Sequence, residues 1–529
     1  MFKVLVTDGI SDQGIQQLTD AADVEVVKKG SLKEDELTAI IGEYDALLVR
    51  SATKVTAKVF EAGTKLKVVG RAGVGVDNIE LEAATQRGVV VINAPDGNTI
   101  TTCEHTFAMM MSLARHIPQA YRKTVSGEWD RKSFLGVELY GKTLGVMGMG
   151  RIGSEVAKRA KAFGMEIFAF DPFLTEDRAE KLGVKVGTVN DIVKVADFIT
   201  VHTPLTNETR HMIARPQFEI MKPGCRIVNC ARGGIIDEMA LVEAIDQGIV
   251  AGAAFDVFES EPPSQDHPFL NNPKVIVTPH LGASTIEAQE NVAIDVSEQV
   301  LHILREEPFK NAVNMPPVPS AVLTKLQPYF TLGEKLGRFV AQMNEGAVQE
   351  IVVSYSGELS EVDTMPLTRY IVMGVLSHHL GREQVNIVNS LHLAKTRDLN
   401  VTVLKSQAAK GFTNLVSVTL KSKAGDSVIA GTLLSGYGAR IVQIGQYPVD
   451  IPPEGNLLLV SHNDRPGIIG KVGTLLGNND VNIATMQVGR KVIGGSAIMV
   501  LTIDKQAEKN VLAQLNALEE IESVKDITL

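Results

Sequence analysis

At 529 residues the chain is too long for one hydrophobic core, and length alone suggests three or four domains. Its composition is that of a globular protein, 44% apolar and 22% charged, and its net charge of -10 argues against nonspecific binding to nucleic acid or to anionic membranes, which both need a basic face. No apolar run approaches the length of a bilayer span, and the three cysteines, Cys103, Cys225 and Cys230, can neither build a disulfide framework nor form a paired zinc motif. They read as reduced thiols of a cytoplasmic protein.

The N-terminal stretch MFKVLVTDG reads as a strand entering a turn, without the apolar region of a signal peptide. Strands KVLVTD, YDALLVRSA, LKVVGRAG and VVVINAPD then alternate with helical stretches, a pattern of parallel βαβ units. Ligands of such sheets gather beyond the carboxyl ends of the strands. Those ends carry Arg50, Arg71 with Gly75 downstream, and Asn98. Two arginines among strand-end glycines could hold a small dianion, because guanidinium forks match carboxylates and phosphates. The alternative is that each arginine pairs with a neighbouring loop. A helix over roughly 102–122 follows, its apolar face of Met109, Met110, Met111 and Leu113 suited to packing.

The segment TLGVMGMGRIG reads as a buried strand breaking into Gly148, Gly150, Arg151, Ile152 and Gly153, with a helix directly after it. In a strand–turn–helix context such glycines allow a tight turn, close approach to a pyrophosphate, and close helix packing. The phosphates would sit on the free amides of the helix N-terminus. A second strand, EIFAF, ends in Asp171, about 20 residues on, where a ribose-diol acceptor is expected. Later strands end in Thr203, in Cys230-Ala231-Arg232, in Asp256 and in His280.

A long apolar-periodic helix, about 286–306, would return the chain to the first unit, making that unit discontinuous. A proline-rich break follows. From about 320 to 450 come two helical stretches and then β-rich sequence, with no acid–base constellation. The adjacent His378 and His379 point apart on a helix and read as surface residues rather than a metal pair. After PPEG the chain reads as a βαββαβ unit, regulatory or structural.

Arg232, Glu261 and His280 all lie at or beyond strand ends of the nucleotide unit, so the fold can converge them. Hydride transfer from a secondary alcohol needs a base for the hydroxyl proton, a cation for the adjacent carboxylate, and positioning. An imidazole, ordinarily titrating near neutrality, suits the first task at His280. Glu261 could orient that ring, and Arg232 could clamp the carboxylate. Singly, His280 is more often a capping or structural histidine and Glu261 a loop surface acid.

Together, VRSAT, GRAGVGVDNI, GMGRIG, HTPL, NCARGGIIDE, AFDVFESEPP and TPHLGAST resemble the D-isomer-specific 2-hydroxyacid dehydrogenase family over the whole chain. The resemblance implies NAD as cofactor and an α/β fold. Two Rossmann-like doubly wound parallel-sheet domains would be followed by an α+β intervening domain and a βαββαβ ACT domain. The expected bounds are 1–98 completed by 286–315 (substrate), 99–285 (NAD), 318–450 (intervening) and 455–529 (ACT). It implies Arg232, Glu261 and His280 as catalytic residues. Contacts to the cofactor would come from Gly148, Gly150, Arg151, Ile152, Gly153, Asp171, Thr203, Cys230, Ala231, Arg232, Asp256, His280, Gly282 and Ala283. Arg50, Arg71, Gly75 and Asn98 would face the substrate.

The four-part layout resembles the long members, which oxidise 3-phospho-D-glycerate to 3-phosphonooxypyruvate at the start of phosphorylated L-serine synthesis. Arg131 and Lys132 are further cations, placed to reach a neighbouring subunit. In the ACT unit, His462, Asp464 and Asn482 match an L-serine effector loop, although Asp464 stands where some serine-inhibited relatives have asparagine. A homodimer or homotetramer is implied. The competing readings are a glyoxylate or hydroxypyruvate reductase, and a non-catalytic NAD-sensing regulator.

Overall fold

The computed structural model describes residues 1–409 and 411–529, and its strands form four separate sheets. The first is all parallel, built from β1 (Phe2–Val6), β2 (Val24–Lys28), β3 (Ala46–Val49), β4 (Val68–Arg71) and β5 (Val90–Asn93) in the order β2-β1-β3-β4-β5. Its central strands are short Val/Leu/Ile runs buried on both faces, as a helix-covered parallel sheet requires.

The second sheet contains β6 (Thr143–Met147), β7 (Glu166–Phe170), β8 (Lys185–Val186), β9 (Phe198–Val201), β10 (Cys225–Asn229), β11 (Val250–Phe255) and β12 (Val275–Val277). Their order is β12-β11-β10-β9-β6-β7-β8, all parallel. Strand order reverses between β6 and β9, and a ligand crevice of a doubly wound sheet opens at such a switch point.

The chain crosses to the second sheet through helix α1 (Thr99–Arg115), whose buried Cys103, Phe107, Met109, Met110 and Leu113 share a core with Leu144, Val146 and Ile167. The single helix expected over 102–122 is two helices. His116 ends α1 in the left-handed conformation (φ 55°), and α2 (Ile117–Val125) starts anew. Pro118 has no N–H to continue the ladder of α1, and it is tolerated in the first turn of a new helix, where α2 starts.

Helix α3 (Arg151–Ala162) follows the glycine turn of β6. Helix α4 (Ile286–Leu304) carries the chain back, burying Val292, Ala293, Val296 and Val300 in one core with Val4, Leu48, Val68 and Ile92 of the first sheet. The segment beyond it runs along β5, with Val313 N–H donating to Val91 O at 2.7 Å.

Helices α5 (Ser320–Met343) and α6 (Met365–Leu380) then cover a six-stranded sheet in the order β14-β13-β15-β16-β17-β18. Its strands are β13 (Val348–Gly357), β14 (Asn400–Ser406), β15 (Asn414–Ser422), β16 (Gly425–Leu434), β17 (Gly438–Ile444) and β18 (Tyr447–Ile451). His378 and His379 lie exposed at the end of α6. This unit touches the first domain through Asn386, whose Nδ2 donates to Gly88 O at 2.7 Å, and through Val388, buried in the first domain's core.

The last sheet, β20-β21-β19-β22, is antiparallel, from β19 (Asn456–Asn463), β20 (Ile483–Arg490), β21 (Ser496–Ile503) and β22 (Ile521–Thr528). With α7 (Ile468–Asn478) and α8 (Lys509–Asn516) it makes the βαββαβ order. One of its faces shares a core with the preceding unit through Leu457, Leu459, Ile498, Val500 and Ile527. No helix among the described residues is long and apolar enough to cross a membrane.

Candidate active site

The glycine turn after β6 is shaped by two steric requirements. Gly148 adopts φ 97° and donates its N–H to Phe170 O at 2.7 Å, a conformation that favours glycine. A Cβ on Gly153 would lie 1.9 Å from Gly148 O, so only glycine lets α3 start this close to the turn. Gly150 is the N-cap of α3, with open space where a Cβ would stand, while Arg151 reaches across to Asp96 with Nε and Oδ1 2.5 Å apart. Ile152 is half-buried beside it.

Asp171, at the end of β7, faces the turn: its Oδ2 accepts from Met149 N at 2.7 Å and its Oδ1 from Phe173 N at 2.7 Å. Beside Gly148, Thr203 Oγ1 is buried without a hydrogen-bond partner. The neighbouring His202 bonds Thr200 Oγ1 through Nε2 at 3.0 Å, and burial pushes its imidazole down to about 4, so this ring is neutral and structural. A pyrophosphate cradle, a carboxylate one strand away and an unpartnered hydroxyl beside the turn fit a dinucleotide.

The turn after β10 is pinned by Asn229, which is fully buried. Its Oδ1 accepts from Ala231 N at 3.0 Å and its Nδ2 donates to Arg232 O at 2.9 Å. Burial raises the Cys230 thiol, so this side chain packs rather than ionises. Arg232 then points from the second sheet towards the first, pairing with Asp77 at 3.4 Å. A Cβ on Gly75 would lie 2.1 Å from Arg232 Nη2, so Gly75 is what leaves room for this guanidinium.

Arg71 lies behind Gly73, with its Nε buried and without a partner. Burial first, then repulsion from Arg232 and from Arg50, with Asp77 and Asp8 opposing, push its guanidinium down to about 10. Arg50 anchors its backbone N–H on Asp8 Oδ2 at 2.8 Å and extends Nη1 to Gln289 Oε1 at 3.4 Å. Three cations from three loops therefore face one region with incomplete compensation, the electrostatics of an anion site. Asn98, just before α1, also carries a buried, unpartnered Oδ1.

His280 sits at φ 55°, held by its N–H on Asp256 O at 2.9 Å. Its Nδ1 lies 2.7 Å from Glu261 Oε2, and Glu261 Oε1 accepts from Phe258 N at 3.1 Å. Burial acts to raise the Glu261 carboxyl, but the His280 hydrogen bond and charge, with Phe258 N–H and Arg232, outweigh it and hold the group below the usual glutamate range. The carboxylate fixes Nδ1 as the protonated nitrogen and leaves Nε2 free for proton transfer.

Asp256 is buried and organises the turn beneath: Thr278 Oγ1 (2.5 Å) and Leu281 N (2.7 Å) donate to Oδ1, and Gly282 N (2.8 Å) to Oδ2. Gly282 is buried and Ala283 half-buried at the chain's return to the first domain. Asp77, Asp96, His105, Asn229 and Thr278 join the site without being among the residues expected there from the sequence. Asn229 and Thr278 stand inside the motifs NCARGG and TPHLGAST, where position in a shared pattern could have flagged them.

The exposed Arg131 and Lys132 lie away from this cleft's contacts, in a turn that caps Asp130. In the C-terminal unit Asp464 is engaged by Arg490 (2.8 Å) and Gly494 N (3.3 Å), the arginine hydrogen bond holding its carboxyl below the usual range. His462 is buried with Nε2 unpartnered, and Asn482 donates to Asp504 at 2.8 Å. No hydrogen bond joins His462, Asp464 and Asn482 to one another among the described residues. Nor do those residues contain a cluster of three or more His, Cys, Asp or Glu arranged to hold a metal ion.

Three family models match the chain: the NAD binding domain of D-isomer specific 2-hydroxyacid dehydrogenases over residues 107–282, the D-3-phosphoglycerate dehydrogenase intervening domain over 325–445, and the ACT domain over 456–520. A D-3-phosphoglycerate dehydrogenase of Bacillus subtilis is 48% identical over 100% of both chains, and one of Methanocaldococcus jannaschii is 46% identical over 100% of this chain and 99% of its own. Among solved structures, the TT0316 protein of Thermus thermophilus is 33% identical with a TM-score of 0.55, covering 59% of this chain and 99% of that one. A D-lactate dehydrogenase of Aquifex aeolicus, complexed with NAD and lactic acid, is 26% identical with a TM-score of 0.51 over 57% of this chain and 96% of its own. The likeness to relatives at both ends of the chain, not to its central domain alone, gives the conclusion: this chain belongs to the D-3-phosphoglycerate dehydrogenase family of NAD-dependent, D-isomer-specific 2-hydroxyacid dehydrogenases.

Proposed function

We propose that the protein oxidises 3-phospho-D-glycerate to 3-phosphonooxypyruvate, with Arg50, Arg71 and Arg232 reading the substrate's two anionic ends and His280 acting as base. The observation that carries this reading is the half-buried Arg71, its Nε buried and unpartnered, set near two further guanidiniums. A 2-hydroxyacid has one carboxylate for Arg232; a phosphorylated one has a second anionic end for Arg71 and Arg50.

Bound NAD supplies the hydride acceptor. Arg232 holds the carboxylate and polarises the C2 oxygen, while Nε2 of His280 takes the C2 hydroxyl proton. Glu261 keeps Nδ1 protonated and stabilises the imidazolium that forms. Asp171 suits NAD over NADP, since a carboxylate there would repel a 2′-phosphate. Following NADH formation from 3-phospho-D-glycerate and D-lactate, beside NADH consumption with glyoxylate and hydroxypyruvate in the reverse direction, tests the assignment. Preferred turnover of an unphosphorylated acid would favour a general 2-ketoacid reductase, and turnover of none a regulator.

The protein is proposed to work as a homo-oligomer in the cytoplasm, where three buried free thiols stay reduced. Ile117, Tyr121 and Val125 form an exposed stripe at helical spacing on α2, continued by Trp129, Leu135 and Tyr140. A second copy of this chain would cover it, and sedimentation of an Ile117→Glu, Tyr121→Glu variant as a monomer is the expected result. L-serine is the proposed effector of the ACT unit; undiminished activity at millimolar L-serine would refute that assignment.

A further inference from the structure

The chain crosses between its first two domains twice, and the two crossings are bonded side by side. From the first turns of α1, Thr101 Oγ1 lies 3.2 Å from Thr285 Oγ1, and Thr102 Oγ1 donates to Gly282 O at 3.0 Å. One turn on, His105 Nε2 lies 3.2 Å from both Thr278 Oγ1 and Asp256 Oδ1. The side chain of Asp256 is 1% exposed, so its carboxylate depends on protein donors for the hydration it has lost.

Three of those donors, Thr278 Oγ1, Leu281 N and Gly282 N, belong to the turn that carries His280. That turn holds His280 at φ 55°, a conformation few non-glycine residues adopt. His105 is the donor from outside the turn. A carboxylate only accepts, so His105 must present its N–H at Nε2.

We propose that His105 is a positioning residue: its Nε2–H, on Asp256 Oδ1 and Thr278 Oγ1, ties α1 to the 278–282 turn and thereby aims the His280 imidazole. This rests on the reading of His280 as the base. The geometry assigns His105 no contact with substrate; it acts through Asp256. The same bracket links the catalytic turn to the helix that enters from the substrate domain, so the base stays registered to both domains.

The test compares His105→Leu and His105→Gln in the full-length protein. Leucine removes the donor at similar size, whereas glutamine can place an amide N–H where Nε2 stands. The leucine variant is expected to lose about tenfold or more in kcat with KM for NAD unchanged, the scale set by small misplacements of reacting groups. In the cofactor-free protein its amide exchange should accelerate over 278–285 and stay unchanged in the second half of α1. The glutamine variant should recover both properties. If the leucine variant does not fold, His105→Asn, too short to reach Asp256, replaces it with the same expectation. Wild-type kcat or unchanged exchange in the donor-less variant, or a glutamine variant as impaired as it, overturns the assignment. A wild-type chain without turnover overturns the reading of His280 instead.

Discussion

Glu261 Oε2 stands 2.7 Å from His280 Nδ1, and a second hydrogen bond, from Phe258 N–H to Glu261 Oε1, keeps the carboxylate from turning away. Glu261 is thereby set up to orient the ring and to balance the charge it gains, without being a proton carrier itself. Removing the base and removing its partner should therefore differ. His280→Asn is expected to cut kcat by about a hundred- to ten-thousandfold, and Glu261→Gln by less. NAD affinity, measured by fluorescence titration, should stay near wild type in both.

Asp171 spends its two oxygens on backbone amides of the glycine turn and its own loop, so it shapes the cradle before any ribose arrives. Asp171→Ala should weaken NAD binding by about ten- to a hundredfold, the worth of hydrogen bonds to a charged group. Calorimetric titration with NAD and NADP checks this; an unchanged affinity and preference would contradict the role.

The Asp256 carboxyl is depressed below its usual range: burial acts to raise it, but the bonds from His105, Thr278 and Leu281 outweigh that. A depressed carboxyl contributes stability that is fully present above its unfolded pKa of about 3.9 and is lost as pH falls through the folded value. Thermal melts from neutral to acid pH should show wild type losing stability below about pH 4. Asp256→Asn should lose less over that window, while being less stable by about 1–3 kcal/mol at neutral pH because it leaves donors unmatched.

Arg71 is held near like charges, so an anion should stabilise the protein by relieving that repulsion. Inorganic phosphate or 3-phospho-D-glycerate is expected to raise the Tm of wild type, following RT ln(1 + [L]/Kd), and to raise that of Arg71→Gln much less. Equal shifts in both would place the anion elsewhere.

The parallel sheets and the glycine turn were legible because their signals are local: apolar runs ended by Gly, Arg or Asp, and a carboxylate one strand beyond the glycines. Four strands were not. β2 carries charged and exposed positions, β8 has two residues, and β13 and β14 alternate polar and apolar beside helices with the stronger apolar period. The break at His116 was missed because the apolar helical period runs through it, while Pro118 decides the geometry. In the site, Arg232, Glu261 and His280 could be named because each stands at or just beyond a strand end. The Asp77 pair and the His105 donor depend on segments far apart in the chain, which no local pattern reports, whereas the Asn229 pin is local and lies within NCARGG.

The measurement that bears most directly on the phosphorylated-substrate reading is kcat/KM for 3-phospho-D-glycerate and for D-glycerate, in wild type and in Arg71→Gln. Wild type is expected to favour the phosphorylated acid by about a hundredfold or more, and the substitution to remove most of that preference while sparing D-glycerate. Equal kcat/KM for the two acids in wild type, or an equal loss on both in the variant, would contradict it.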